Sequence, residues 1–192
     1  MISDEALMLE FQGGSRAAFE ELFARYRKPL YGFFGRRLNN PERAEDLAQE
    51  TFLAVIRAAS RYEPRALVRT YLLGIALKLL AAERRKLLTS STLKQSAREP
   101  QTGGGTLERV LWVRHAMEKL DAPEREILML REYEQLSYSD IAELLRIPVN
   151  TVRSRLFRSR LALKSYLESQ ARINPASRAS TEQPHPGRRG LQ

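Results

Sequence analysis

Arg153, Ser154, Phe157 and Arg158 carry, within six residues, the groups that can read the edge of a DNA base. An arginine fork matches the two acceptors of guanine, an exposed phenyl ring meets the thymine methyl, and a serine hydroxyl serves phosphate or base. Asn150 and Thr151 stand near the start of the same stretch, and Arg155 adds a further cation. At about 100° per residue, Val149, Val152, Leu156 and Leu163 fall on another arc, which must face a core. From Leu144 to Leu167 the chain has Arg146, Arg153, Arg155, Arg158, Arg160 and Lys164 and no acid. A solvated helix gains stability from mixed signs at i,i+4. A stretch of one sign forgoes that gain and wants an outside anion. An anionic membrane is the competing partner, but it needs an apolar face turned outward. Here the fold needs that face, so the pattern predicts DNA.

A second group lies in 41–60. Ala44, Leu47, Ala48, Phe52, Val55 and Ile56 form one broad apolar face, predicted as core, and Asp46, Gln49, Glu50, Leu53 and Arg57 lie opposite. Taken alone, Leu53 reads as one of many harmless exposed leucines. The sharper reading is a helix-docking patch, with Leu53 as anchor and carboxylates selecting a basic partner. A third group runs from Arg57 through Arg61 and Tyr62 to Tyr71, Lys78, Arg84 and Arg85. Rings to stack on and cations for the backbone are what an unstacked strand requires. Core-edge tyrosines with solvated bases explain the same composition equally well.

The elements that must position these groups are helices. Phe19, Leu22, Phe23, Tyr26, Leu30 and Phe33 follow helical spacing after the N-cap candidate Ser15, and Asn40–Pro41 offers a cap with a first-turn proline. A third helix is predicted over about 65–86, with Val68, Leu72, Ile75, Ala76 and Leu79 on its apolar stripe. A helix over 107–120 follows, then one from Pro123 to about Tyr133, a short one over 139–145 and a long one over about 149–167. Ser137 and Asp140 form a capping-box-like start for the short helix. Two helices across Arg146-Ile147-Pro148 make a helix-turn-helix pattern. Arg146 stands where such turns often have Gly; a left-handed backbone there would cost about 1–2 kcal/mol. The turn therefore has another geometry, or side-chain contacts offset the strain. No segment alternates with period two, so the fold class is all-α: two small helical domains.

The domain boundaries follow composition. Residues 1–86 form the first domain and 107–168 the second; 87–106, with Gly103–Gly105, reads as a flexible linker. Residues 169–192, rich in Pro and Gly, read as a disordered tail. The chain has 192 residues, 32 Lys plus Arg against 23 Asp plus Glu, and a formal charge of +9, which asks for a polyanionic partner. It has no Cys and only His115 and His185, which excludes thiolate chemistry and histidine-rich metal sites. No metal or other cofactor is expected. No apolar run approaches the ~20 residues of a membrane span, and the acidic N-terminus is unlike a secretion signal.

Ala44-Glu45-Asp46-Leu47-Ala48-Gln49-Glu50-Thr51-Phe52-Leu53, Tyr71-Leu72-Leu73-Gly74-Ile75-Ala76, and Tyr138-Ser139-Asp140-Ile141-Ala142 leading into Thr151-Val152-Arg153-Ser154-Arg155-Leu156 occur in this order. Over about residues 4–168 the chain resembles the extracytoplasmic-function (ECF) sigma factors of the sigma-seventy family. The resemblance implies a region-two bundle whose Asp46, Gln49, Glu50 and Leu53 dock on the clamp helices of the largest subunit of core RNA polymerase. It favours the docking reading of Leu53 and implies that Arg57–Lys86 recognises and holds open the minus-ten promoter element. Region four would read the minus-thirty-five element and meet the polymerase flap, with the linker threading toward the RNA exit path. An anti-sigma factor as partner, a cytoplasmic location (nucleoid-associated in holoenzyme) and a monomeric free state are also implied. The chain departs from the family at Tyr71, where Trp is common, at Leu77-Lys78 in place of Arg-Asn, and at Ala82-Glu83, where an acid is displaced.

Two other classes compete. A stand-alone helix-turn-helix regulator needs a dimer interface matched to half-site spacing, and no spare apolar helix supplies one. A nucleic-acid enzyme needs a nucleophile or a carboxylate metal cluster; Asp46 and Glu50 lack an evident third ligand. The expected function is therefore non-enzymatic: a specificity subunit that directs promoter-specific initiation.

Overall fold

A computed structural model describes residues 2–64, 67–90 and 113–173. Every regular element among them is helical, and they divide into two compact units, one within 1–100 and one within 101–192.

The first unit contains α1 (Asp4–Gln12), α2 (Arg16–Gly35), α3 (Pro41–Ala58), a 3-10 turn (Ala59–Arg61) and α4 (Val68–Ser90). Both expected caps form: the Ser15 hydroxyl accepts the Ala18 N–H at 3.3 Å, and the Asn40 carbonyl accepts the Arg43 N–H at 3.0 Å. Each satisfies a backbone donor that the first turn would leave orphaned. The expectations did not include α1. Its Ser3 hydroxyl caps Ala6, Asp4 and Glu5 occupy the favourable positive end, and Leu7 and Met8 are buried. Helices α1 and α3 pack on α2, and α4 packs on α3. Phe11, Phe19, Phe23 and Phe52 form a chain of rings with centroids 4.8, 6.4 and 4.7 Å apart in turn. Such pairs add about 0.5–1.5 kcal/mol beyond area burial.

The apolar face of α3 is narrower than its wheel suggests. Ala44, Leu47, Ala48, Phe52 and Val55 are buried, but Ile56 is 46% exposed. Ile56 is only about 60° from Leu53 on the wheel, and the helix ends two residues later, so it lies at the edge of the core. Helix α4 begins at Val68, later than expected, and continues to Ser90, so 87–90 is helix rather than linker. The remainder of the expected linker, 91–106, lies outside the described residues, as does Arg65.

The second unit has a helical stretch at 113–118 (α5), then α6 (Ala122–Glu132), α7 (Tyr138–Leu145) and α8 (Val149–Ile173). Residues 107–112 of the expected first helix lie outside the description. Arg125 closes the end of α5, its guanidinium donating to the carbonyls of Met117, Glu118 and Leu120 at 2.7–2.9 Å. Ile127, Leu130, Ile141, Val152 and Leu156 fill the core between α6, α7 and α8. Helix α8 extends six residues past the expected end, so 169–173 is helix and not tail; 174–192 lies outside the described residues.

The capping box is complete, with Asp140 N–H to Ser137 Oγ and Ser137 N–H to Asp140 Oδ2, both 3.0 Å. At the other end of α7 the Ile147 N–H reaches Ala142 O at 3.0 Å and the Arg146 N–H reaches Glu143 O at 3.2 Å. This is a Schellman closure, and it places Arg146 at φ 53°, ψ 48°. The turn has the left-handed geometry after all, and Arg146 bears the cost. Arg146→Gly is therefore expected to stabilise the second unit by up to about 1 kcal/mol, the relieved strain less the added entropy of the unfolded chain. Thermal unfolding checks this; an unchanged or lower midpoint refutes it.

Candidate protein and nucleic-acid interfaces

The outward strip of α3 is exposed as expected. The side chain of Asp46 is 61% exposed, Glu50 is 42% exposed, Gln49 is open to solvent, and Leu53 is 48% exposed. An apolar side chain left in water inside a polar strip suits an anchor that a partner covers. Arg43, which sequence reasoning missed, organises the strip. Its Nε and Nη2 hold both oxygens of Glu83 on α4 at 2.9 and 2.8 Å, while Nη1 lies 3.0 Å from Glu50 and 3.5 Å from Asp46. One guanidinium thus locks α3 to α4 and orients two carboxylates of the strip. Three carboxylates share one cation, so the cluster keeps a net negative charge. The bond to Arg43 holds the Glu83 carboxyl below the usual range despite burial. The i+3 and i+7 spacing of Asp46 and Glu50 from Arg43 was visible in the sequence; the link to Glu83, forty residues away, was not. Beside the strip, α2 contributes Phe23, Arg27, Lys28 and Tyr31 to a groove that Gln49 and Phe52 complete.

The third group is only partly assembled on one surface. Arg57, Arg61, Lys78, Arg84 and Arg85 are exposed. Tyr71 is half-buried, and its ring meets Tyr62 edge-on with centroids 5.2 Å apart. Tyr62 itself does not present the exposed stacking ring that was expected. It is 4% exposed and belongs to the core with Leu7, Met8, Val55 and Val68. The reason is α1, whose apolar residues cover a ring that would otherwise lie open. Burial raises both tyrosine hydroxyls above their usual range, while the Arg61 charge pulls Tyr71 the other way.

On α8 the reading face is open. Arg153, Ser154, Phe157 and Arg158 are exposed, with Phe157 at 69%, and Asn150 is exposed beside them. Thr151 and Arg155 are half-buried. The opposite face is core, with Val152 and Leu156 fully buried. Arg153 Nη1 donates to Asn150 Oδ1 at 3.1 Å, which pre-orients the guanidinium. Arg158 is engaged: its Nε lies 2.9 Å from Glu124 of α6, whose side chain is 16% exposed. Arg160 likewise pairs with Glu132 at 2.7 Å. The acids of α6 thus hold two bases of α8.

Family comparison assigns each unit in turn. The family profile described as Sigma-70 region 2 matches residues 22–87, and that of Sigma-70, region 4 matches 111–163. RNA polymerase sigma factor CarQ of Myxococcus xanthus is 31% identical over 165 residues, covering 83% of this chain and 95% of its own. The chain belongs to the sigma-70 family, among the ECF sigma factors. RNA polymerase sigma-H factor of Pseudomonas aeruginosa is also similar to this sigma factor, at 29% identity over 190 residues, 86% of this chain and 94% of that one. Among solved structures, CnrH in complex with the cytosolic domain of CnrY matches it with a TM-score of 0.68 at 26% identity, covering 86% of this chain and 97% of that one. The sigma factor RpoE of Bartonella quintana, solved with the anti-sigma factor NepR, shares the fold at a TM-score of 0.64 and 22% identity, over 78% and 96% of the two chains. Among the described residues of the sigma factor, no helix is long and apolar enough to cross a membrane.

Proposed function

We propose that this sigma factor binds core RNA polymerase through both units and directs it to promoters as a non-enzymatic specificity subunit. Residues 1–86 carry clamp docking and the minus-ten contacts, and 107–168 carry the minus-thirty-five contacts and the flap contact. Asp46, Gln49, Glu50 and Leu53 dock on the clamp helices. Arg57, Arg61, Tyr71, Lys78, Arg84 and Arg85 face the minus-ten element, with Tyr62 supporting Tyr71 from the core. Asn150, Thr151, Arg153, Ser154, Arg155, Phe157 and Arg158 face the minus-thirty-five element. The observation that carries this reading is the pairing of exposed features: Leu53 in the acidic strip of one unit, and Arg153, Ser154 and Phe157 on the basic helix of the other.

The physics of the arrangement is that of linked weak binders. Each small module alone offers modest DNA affinity; joined on one chain and fixed on polymerase, the second contact becomes intramolecular. The positive charge of α4 and α8 supplies salt-dependent phosphate attraction, and α8 adds base discrimination. The free protein is then monomeric, cytoplasmic and a poor promoter binder. An anti-sigma factor is a further partner, of the kind that NepR is for the sigma factor RpoE of Bartonella quintana. Run-off transcription with core polymerase on genomic fragments tests the reading. Discrete transcripts that need both components are expected. No RNA synthesis, together with a tight footprint by the free protein, overturns it.

A further inference from the structure

Helix α1 reaches the connection between α3 and α4 at both ends. The Gln12 side-chain amide donates to the backbone carbonyls of Ser60 and Tyr62, each at 3.2 Å. The Glu5 carboxylate accepts the N–H of Val68 at 3.1 Å, serving as a remote cap for the first residue of α4. These contacts span 48, 50 and 63 residues of sequence, so no local tendency explains them. Between the polar contacts, Leu7 and Met8 pack in one cluster with Ala59, Tyr62, Val68 and Leu72. The helix is in turn anchored to α2 through Asp4, which accepts from Arg25 Nη1 at 2.6 Å and from the Tyr26 hydroxyl. A chain of contacts therefore runs from α2 through α1 to the turn that carries Arg61 and to Val68, the first residue of the helix that carries Tyr71.

We propose that α1 is a positioning element for the minus-ten contacts: Gln12 and Glu5 fix the two ends of the α3–α4 connection and so aim Arg61 and Tyr71 at the separated promoter strand. This rests on the minus-ten reading of those two residues. Gln12 suits the role because it is exposed yet spends its amide on two carbonyls of one turn. A carbonyl pair held by one donor group defines the direction of the turn more narrowly than apolar contact does, since a hydrogen bond weakens steeply with angle. None of the three contacts touches the acidic strip on α3, so the effect is separable from polymerase docking.

The test uses the full chain in holoenzyme. Gln12→Met keeps length and removes the donors, Gln12→Lys restores a donor, and Arg61→Ala reports on the minus-ten reading itself. Core-polymerase affinity, thermal midpoint, open-complex formation followed by 2-aminopurine fluorescence, and base preference across a randomised minus-ten library are measured. Gln12→Met is expected to slow open-complex formation about five- to thirtyfold, the factor set by losing one or two hydrogen bonds of ordinary strength. Its minus-ten base preference flattens, its core affinity stays unchanged, and Gln12→Lys recovers both promoter readouts. Normal opening and an unchanged base profile in Gln12→Met overturn the proposal, whatever happens to its thermal midpoint. If Arg61→Ala also opens promoters normally, the minus-ten reading falls with it; if Arg61→Ala alone is defective, only the role of α1 falls.

Discussion

Leu53→Asp weakens binding to core RNA polymerase by about thirtyfold or more, the loss of at least about 2 kcal/mol that marks an interface hot spot. Three observations carry the magnitude. Leu53 is 48% exposed, so its removal opens no cavity and the fold should hold. It sits one turn from Gln49 and Glu50, so a partner that covers those residues must cover it as well. A carboxylate there adds a fourth negative charge near Asp46, Glu50 and Glu83, and it is buried without a partner once the interface closes. Circular dichroism and thermal midpoint should match the wild type while holoenzyme formation, followed by fluorescence anisotropy, fails. Asp46→Lys is expected to act in the same direction, but it also places a second cation within reach of Arg43, 3.5 Å from Asp46 in the native protein. Leu53→Asp is therefore the cleaner variant. Normal holoenzyme assembly would remove the α3 strip from the interface.

Arg153→Ala weakens binding to a minus-thirty-five element by about 1–3 kcal/mol, roughly five- to 150-fold, and relaxes sequence preference at one position. The residue is exposed on the reading face of α8, and Asn150 already orients its guanidinium, so little is lost in fixing the side chain. Arg158→Ala costs less, because DNA must first displace Glu124 from the guanidinium. The same geometry yields the opposite sign at the partner: Glu124→Gln frees Arg158 and should strengthen promoter binding, modestly because Arg158 is 60% exposed and solvent screens the pair. Competition binding of holoenzyme to promoter and single-base variants measures all three. A variant at Arg153 that loses affinity equally on every sequence would reassign it to a phosphate contact.

How far each element was legible follows from the range of the interactions that create it. Ser15, Asn40 and the Ser137–Asp140 box declared helix starts, because a cap bonds within three residues and its pattern is written locally. The reading face of α8 was legible for the same reason: helical periodicity alone separates Arg153 and Phe157 from Val152 and Leu156. Helix α1 escaped notice because its amphipathic stripe is short, and Leu7 and Met8 acquire a core only when α2 and α4 fold against them. The over-long reach of the α3 core face failed at Ile56, since periodicity assigns a direction but not where neighbouring helices stop.

The sequence by itself determined an all-helical chain in two units, the family they belong to, and the outward strips of α3 and α8, since capping and periodicity act over one or two turns. Tertiary structure alone decided that Tyr62 is core, that Arg43 ties the docking strip to Glu83, that Glu124 engages Arg158, and that Arg146 takes a left-handed backbone. The first three join residues 34 or more positions apart or bury one under another helix, and burial and ion pairing depend on distance in space. The fourth is a closure made by Ile147 N–H to Ala142 O and Arg146 N–H to Glu143 O, which the sequence did not announce because Arg stands where such a turn favours Gly.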